Sequence, residues 1–197
     1  MKTSSQLSPF ELESLLNSVD DFGNRSHPFK KGIRAAKFFS AGIFYTIDDT
    51  DKINILICQY QEDGTGPVEY RFPGGSSEPN EDPRYVLNRE SREETGLIPT
   101  CYEPVFHSES RDKNFSKWDY KNHHHKFFFA ISIWAGCMKK SSDLEGGEVK
   151  GFQWVTLEKC KEMLHGRHMD AFNAFCEDLG KRFLHNKVIC KQLPSYS

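Results

Sequence analysis

The alternation of hydrophobic and polar positions divides the chain into short segments typical of an α/β domain. Apolar runs bounded by turn residues predict strands at 37–47, 53–60, 69–72, 101–106, 126–134 and 149–155. Apolar residues at helical spacing predict two late helices, at 157–164 and 169–184. Together with a central helix, this order favours an α/β/α layered sandwich.

Two helices are marked by their end signals. In the central one, Asp82 can act as the N-cap with Pro83 at the first helical position, and Gly96 is well placed to end it. Near the start of the chain, Ser8-Pro9-Phe10-Glu11 combines a capping box with proline at the first position. We therefore predict an N-terminal helix and leader at 1–34, followed by one main domain at 35–197.

Composition narrows the class of protein further. The chain has 197 residues, a net charge of −2, 37% hydrophobic and 27% charged residues, which suits a soluble globular protein and argues against nucleic acid as the main partner. The sequence has no run of about 18 apolar residues, so it predicts no membrane span. Six cysteines without a C-x-x-C pair, and no secretory segment after Met1, predict a reduced, cytoplasmic protein.

Seven residues stand at fixed spacing around the central helix. They are Gly75, Glu81, Arg89, Glu90, Glu93, Glu94 and Gly96. At a background frequency of roughly one in fifteen for each, seven matches at one offset come to about 10⁻⁸. The segment 75–97, called the box below, resembles the signature of the Nudix hydrolases, G-x5-E-x7-R-E-U-x-E-E-x-G-U with U apolar. The resemblance implies a mixed β-sheet between helices.

The glutamates of the box have a spacing suited to a divalent metal. Glu90, Glu93 and Glu94 stand at i, i+3 and i+4, so they share one face of a helix. Three carboxylates so close repel one another, and a hard cation such as Mg²⁺ or Mn²⁺ relieves that repulsion. By the resemblance, Glu90 and Glu94 are the first candidates for metal ligands, with Glu93 close behind. The alternative is an ordinary solvated helix face with Arg–Glu pairs.

Other residues in and before the box are candidates for supporting roles. Arg89 can pair with Glu93 or orient a neighbouring carboxylate, so it joins the catalytic candidates. Glu81 could reach the same region or be structural. Gly74 and Gly75 follow a strand and permit a close backbone approach, to the metal for Gly74 and to the substrate for Gly75.

One position of the box departs from the family pattern. Ser91 stands where the family usually has a bulky apolar residue. We expect it on the inward face of the helix, four residues after Leu87, with its hydroxyl bonded back to the backbone. This change weakens a core contact and leaves the chemistry intact.

Candidates outside the box rest on weaker patterns. Glu148 lies in an acidic, glycine-rich loop before a strand and is similar to the distal catalytic acid of many Nudix enzymes, with Glu145 as a lesser candidate; an ordinary acidic loop is the alternative. Arg71 flanks the box and could contact substrate. Phe115 and Trp118 could stack on a base or could fold down onto the core.

The predicted function follows from the resemblance and the glutamates together. It is metal-dependent hydrolysis of a phosphoanhydride in a nucleoside diphosphate linked to another moiety, such as ADP-ribose, a nucleotide sugar, a dinucleoside polyphosphate or a nucleoside triphosphate. The substrate partner is then a small nucleotide. One alternative is a nucleotide-sensing domain that does not cleave its ligand, although such domains often lose box glutamates. Another is an isoprenoid diphosphate isomerase, for which no cysteine here stands in a matching motif.

Overall fold

The computed structural model describes residues 38–61, 66–78, 81–111, 123–144 and 147–192. The predicted N-terminal helix, Phe115, Trp118 and Glu145 lie outside these residues. The division of the chain at residues 34 and 35 therefore stays a prediction.

The described part contains nine strands, three α-helices and one 3-10 helix, Ser141–Leu144. The strands are β1 Phe38–Ile47, β2 Ile53–Tyr60, β3 Glu69–Arg71, β4 Gly74–Ser76, β5 Leu97–Pro99, β6 Glu103–Arg111, β7 His123–Ile131, β8 Trp134–Gly136 and β9 Val149–Thr156. The helices are α1 Pro83–Thr95, α2 Leu157–Met163 and α3 Gly166–Gln192. Among the described helices, none is long and apolar enough to cross a membrane.

A mixed seven-stranded sheet forms the centre of the fold. Strand order along its main path is β3-β2-β1-β7-β6, with β4 paired to β1 and β9 paired to β2. The pairing of β1 with β7 is parallel, and the other pairings are antiparallel. Strands β5 and β8 form a separate two-stranded sheet.

Successive side chains along the strands pack into two hydrophobic cores, one on each face of the sheet. On β1, Phe44 joins Val86 and Leu87 of α1 in one core, whereas Ile43 joins the core that contains Phe172 of α3. This alternation follows from the two-residue repeat of a strand. Helix α1 therefore covers one face and α2 with α3 the other, which confirms the predicted α/β/α sandwich.

The two ends of α1 form as the sequence predicts. Asp82 is the N-cap, and its carboxylate accepts hydrogen bonds from the backbone N–H groups of Arg84 and Tyr85 at 2.8 and 3.0 Å. Gly96 ends the helix in the left-handed conformation, with φ of 82°. Both signals fix where the helix begins and ends, and so they fix which way its glutamates face.

Ser91 occupies the inward face of α1, as expected. It is fully buried, and its hydroxyl donates to the carbonyl oxygen of Leu87 at 2.6 Å. The bond back to the preceding turn satisfies the hydroxyl without a partner from another element. The departure from the family pattern is therefore accommodated inside the helix.

Several elements differ from the sequence prediction at their boundaries. Strands β6 and β7 extend towards residues 111 and 123, and α3 begins at Gly166 and runs to Gln192. Of the four three-residue strands, β3 was predicted and β4, β5 and β8 were not, because so short a strand carries little readable alternation. The pairing partner defines such strands more than their own residues do.

We expect the Asp82 cap to set the stability of α1. Asp82→Ala should lower the free energy of unfolding by about 1 kcal/mol, because two backbone N–H groups at the helix start lose their acceptor. Urea denaturation followed by circular dichroism measures this. Asp82→Asn is the matched control, since its amide oxygen can still accept both bonds. Equal destabilisation by both variants would contradict the assigned cap.

Candidate active site

A cavity of about 570 Å³ opens at the end of the sheet beside α1. It contains box residues, residues from β1 to β4, and residues from β7 and α3. Its lining consists of Phe39, Tyr60, Glu69, Arg71, Gly74, Gly75, Ser76, Glu78, Glu90, Glu94, Lys126, Glu148, Arg167 and His168. Of the candidates predicted from sequence, Glu90, Glu94, Gly74, Gly75, Arg71 and Glu148 are therefore brought together in one place.

Glu94 lies where α1 meets β4. Its Oε2 accepts a hydrogen bond from the Gly74 backbone N–H at 2.8 Å. The pKa of Glu94 is raised to about 8, mainly by burial; the Gly74 bond opposes this rise and neighbouring Glu90 contributes to it. A carboxyl group held in this setting is costly to ionise without a nearby cation.

Glu90 stands one helical turn before Glu94 and is held by Arg89. Its Oε1 accepts from Nη1 of Arg89 at 2.7 Å, and its side chain is 17% exposed. Burial raises the pKa of Glu90 in spite of that ion pair, and Glu93 adds to the rise. The two cavity-facing glutamates thus share the same electrostatic need for positive charge.

Arg89 fastens the box loop to the helix. Its Nε and Nη2 donate to the two carboxylate oxygens of Glu81 at 2.9 and 3.1 Å, and Nη2 also donates to the Ser76 carbonyl at 3.1 Å. The bonds between Arg89 and Glu81 raise the pKa of Arg89 and lower the pKa of Glu81. Glu81 further accepts from the Glu78 backbone N–H at 2.7 Å. Glu81 is therefore already satisfied by protein groups.

Glu93 occupies a more open position than the other two glutamates. Its side chain is 61% exposed, and its carboxylate lies 3.6 Å from Nη1 of Arg89. It does not line the cavity described above. The predicted Arg89–Glu93 pairing is thus present, but it is longer than the pairings of Arg89 with Glu81 and Glu90.

Oxygen donors at the cavity fit a hard divalent cation. Within the described ranges, no three His, Cys, Asp or Glu side chains already converge as a metal-binding group. Two carboxylates are sufficient for Mg²⁺, which commonly takes one or two carboxylates and completes its shell with water and substrate phosphates. The raised pKa values of Glu90 and Glu94 are in keeping with a site that needs such a cation.

The two glycines that begin the box make room for these carboxylates. Gly74 has φ of 150°, and a Cβ there would overlap the Ser40 carbonyl oxygen and the Ala41 backbone. A Cβ on Gly75 would instead overlap the carboxyl group of Glu90. Gly74 is thus required by the backbone, and Gly75 by the position of Glu90.

A group of basic residues in the cavity was mostly missed by the sequence analysis. Arg71 was predicted, but Lys126, Arg167 and His168 were not. Lys126 comes from β7 beside the aromatic run 127–129, and the other two come from the start of α3. No local motif marks such residues, because the sheet and α3 must form before they meet. A basic residue directly before an apolar run, as Lys126 is before Phe127, is the one usable signal.

His168 links α3 to the strand that leads into the box. Its Nδ1 accepts from the Phe72 backbone N–H at 3.2 Å, so Nε2 carries the proton in the neutral ring. Burial lowers the pKa of His168 to about 3, with Arg71 and Lys126 adding to the effect. The ring is therefore neutral at physiological pH.

Of the candidates Glu148, Phe115 and Trp118, the structure describes only Glu148. Glu148 lines the cavity with an exposed side chain, and its carbonyl oxygen accepts from the Gln61 backbone N–H at 2.9 Å. The loop that carries it is thereby tied to the end of β2. Phe115 and Trp118 lie outside the described residues, so their predicted role in substrate binding stays a prediction.

Comparison with known families bears on this site directly. The family model of the NUDIX domain matches residues 37–175. The chain belongs to the Nudix family. Its enzyme class is that of the Nudix pyrophosphohydrolases, and Nudix hydrolases generally depend on a divalent metal. The match covers the box, the sheet, α2 and the first part of α3, so it includes both walls of the cavity.

Solved structures with the same fold share little sequence with this Nudix chain. The NUDIX domain of Shewanella oneidensis NrtR, complexed with ADP ribose, is 14% identical, with 81% of this chain and 97% of that chain covered and a TM-score of 0.56. The E. coli ORF135 protein is 22% identical, with coverages of 72% and 89% and a TM-score of 0.54. A C. elegans Ap4A hydrolase binary complex is 16% identical, with coverages of 73% and 98% and a TM-score of 0.52. A comparison with curated protein sequences gave no match.

Alanine substitutions at Gly75 and Gly74 should have different effects, the first on activity and the second on stability. Gly75→Ala should lower kcat/KM about 100-fold, because the methyl group displaces the Glu90 carboxylate, while the fold stays intact. Gly74→Ala should lower the free energy of unfolding by at least about 1–3 kcal/mol from backbone strain alone. Steady-state kinetics and urea denaturation distinguish the two.

Gly180→Ala provides the matched control, because a Cβ there meets nothing within 4 Å in helix α3. It should stabilise the protein by about 0.5–1 kcal/mol, since alanine loses less entropy than glycine in a helix. The assignment fails if Gly75→Ala retains full activity.

His168 should make the Nudix domain less stable as pH falls. Its pKa is about 3 in the folded protein against an ordinary value of 6.5, so protons bind the unfolded chain first and stability is lost below pH 6.5. The slope from this group is at most about 1.4 kcal/mol per pH unit. In His168→Asn, whose side-chain oxygen can still accept from Phe72, the decline from pH 6.5 to 5 should be shallower. Parallel stability curves for the two proteins would contradict the assignment.

Proposed function

We propose that this protein is a metal-dependent Nudix hydrolase that cleaves a phosphoanhydride in a nucleoside diphosphate linked to another moiety. The observation that supports it most is the pair of cavity-facing glutamates, Glu90 and Glu94, whose pKa values are both raised. In the same cavity lie the box glycines and a basic wall. This combination suits a metal together with a phosphate chain.

Each residue of the box has a proposed part in the reaction. Glu90 and Glu94 would hold Mg²⁺ or Mn²⁺, with Glu93 and the Gly74 backbone completing the set from its rim. The metal, when bound, supplies charge neutralisation for the attacked and leaving oxygens. Arg89 is a positioning residue, since it binds Glu90 and ties it to Glu81.

Glu148 is the best candidate for the general base. Its carboxylate is exposed at the cavity, whereas Glu93 lies outside the lining and Glu94 is engaged with Gly74. An exposed carboxylate can accept the proton of an attacking water at one of its Oε atoms and pass it to solvent. The loop reaches the cavity through the Gln61–Glu148 backbone bond.

The substrate end of the cavity is proposed to involve Arg71 and Gly75. Arg71 lies over the Tyr60 ring, 4.4 Å from its centroid, which positions its guanidinium at the cavity wall. Gly75 presents backbone without a side chain beside Glu90. Phe115 and Trp118 remain candidates for stacking on the base. One of the similar structures is a complex with ADP ribose and another is an Ap4A hydrolase, so both ligand types belong in a test.

A nucleotide panel tests this proposal. The protein is incubated with Mg²⁺ or Mn²⁺ and ADP-ribose, a nucleotide sugar, a dinucleoside polyphosphate or a nucleoside triphosphate, and products are separated by chromatography. We expect phosphoanhydride cleavage that stops when the metal is chelated. Glu94→Gln should lower kcat at least about 100-fold without unfolding, because its amide can still accept from Gly74.

A second variant tests the assignment of the base. Glu148→Gln should lower kcat about 100-fold or more while metal affinity stays unchanged. Glu162→Gln, at an exposed position on α2, serves as the control for loss of a surface carboxylate. Binding of nucleotides without turnover of any of them would refute catalysis and favour a sensing role.

A further inference from the structure

The cavity has a positively charged wall that the box does not account for. Arg71 from β3, Lys126 from β7 and Arg167 from α3 all line it. Lys126 lies on the face of the sheet that α3 covers, since Phe128 and Ala130 of the same strand join that core. The carboxylates come from α1 on the opposite face. The cavity therefore has a carboxylate side and a cation side.

Contacts in the structure place the cations along the cavity. Arg71 ends β3 just before the box strand β4, so it lies on the side of the carboxylates. Lys126 and the start of α3 meet instead at Phe39 of β1, because the Lys126 Nζ and the ring of His168 each lie 5.7 Å from the centroid of the Phe39 ring. Lys126 and Arg167, the neighbour of His168, therefore lie together on the face of the sheet that α3 covers.

Lys126 is the least compensated of the three cations. Arg71 pairs with Glu69 at 2.6 Å and Arg167 with Asp170 at 3.0 Å. Among the described side chains, no carboxylate forms a salt bridge with Lys126, whose Nζ lies 5.7 Å from the centroid of the Phe39 ring. Like charges drawn together without an anion raise the free energy of the empty site, and a bound anion relieves it.

These cations enlarge the part of the cavity that can bind phosphate. A diphosphate held by metal at Glu90 and Glu94 would lie on the carboxylate side, the side of Arg71. Lys126 and Arg167 lie on the opposite face of the sheet from α1, so they face a more distant part of the ligand. A sugar in that part of the cavity is neutral and cannot neutralise them, whereas a further phosphate can form charge-assisted bonds to both.

We infer that Lys126 and Arg167 bind a phosphate group beyond the cleaved diphosphate. The substrate class is then a nucleotide with at least three consecutive phosphates, namely a nucleoside triphosphate or a dinucleoside polyphosphate, in preference to ADP-ribose or a nucleotide sugar. This inference rests on the proposed function and narrows it. Both residues act on specificity and touch the substrate outside the bond that is cleaved.

Competition between two adenosine substrates tests the inference. The ratio of kcat/KM for ATP to kcat/KM for ADP-ribose is measured with Mg²⁺ for the wild type and for Lys126→Met, which keeps the length of the side chain. We expect the ratio to fall about 10- to 100-fold in the variant, mainly through KM for ATP, because one charge-assisted contact is lost. Lys126→Arg should restore most of the ratio. Lys181→Met, an exposed lysine of α3, should match the wild type.

A binding measurement tests the preference for a third phosphate even if the protein cleaves no nucleotide. Calorimetric titration with tripolyphosphate and with pyrophosphate, both in Mg²⁺, should show tighter binding of tripolyphosphate by the wild type and loss of that preference in Lys126→Met. Equal weakening of both ligands would overturn the inference, because the cations would then serve the common diphosphate. If no nucleotide is cleaved but the tripolyphosphate preference depends on Lys126, the proposed function fails and the subsite stands.

Discussion

The contact between the Glu94 carboxylate and the Gly74 backbone N–H is the interaction on which the site depends. It joins α1 to the short strand β4, which in turn pairs with β1 at Ala41. A side chain at residue 74 would overlap the backbone of β1, so only glycine allows the helix, the strand and the carboxylate to meet at this distance. The cost of burying the carboxylate is tolerable because a cation can offset it.

The other residues of the box keep Glu94 and Gly74 in contact. Arg89 distributes its donors among Glu81, Glu90 and the Ser76 carbonyl, so the loop before the helix cannot shift without breaking several charge-assisted bonds. Such bonds are strong when partly buried. The arginine therefore positions the Glu90 carboxylate, and Glu81 positions the arginine.

Local chemistry explains which features could be predicted from sequence. The caps of α1 and the buried hydroxyl of Ser91 depend on residues within one or two helical turns, and both were confirmed. Of the three box glutamates predicted on one helix face, Glu90 and Glu94 line the cavity and Glu93 does not. Strand β4 and the basic wall were not predicted, because they depend on pairings across tens of residues. Phe39 and Lys126, for example, become neighbours only through the parallel pairing of β1 with β7.

The two sides of the cavity differ in how they are built: the carboxylate side carries the motif of the family, and the cation side carries residues outside that motif. The carboxylate side belongs to one helix and its preceding loop, so its spacing is visible as a motif. The cation side is assembled from β3, β7 and α3, and each residue there can change without disturbing helix α1. A family that keeps one reaction and varies its substrates can therefore vary the cation side alone. In this protein, the proposed extra phosphate subsite belongs to the cation side, because Arg167 and the half-buried Lys126 line the same wall and two neighbouring cations favour additional negative charge on a ligand.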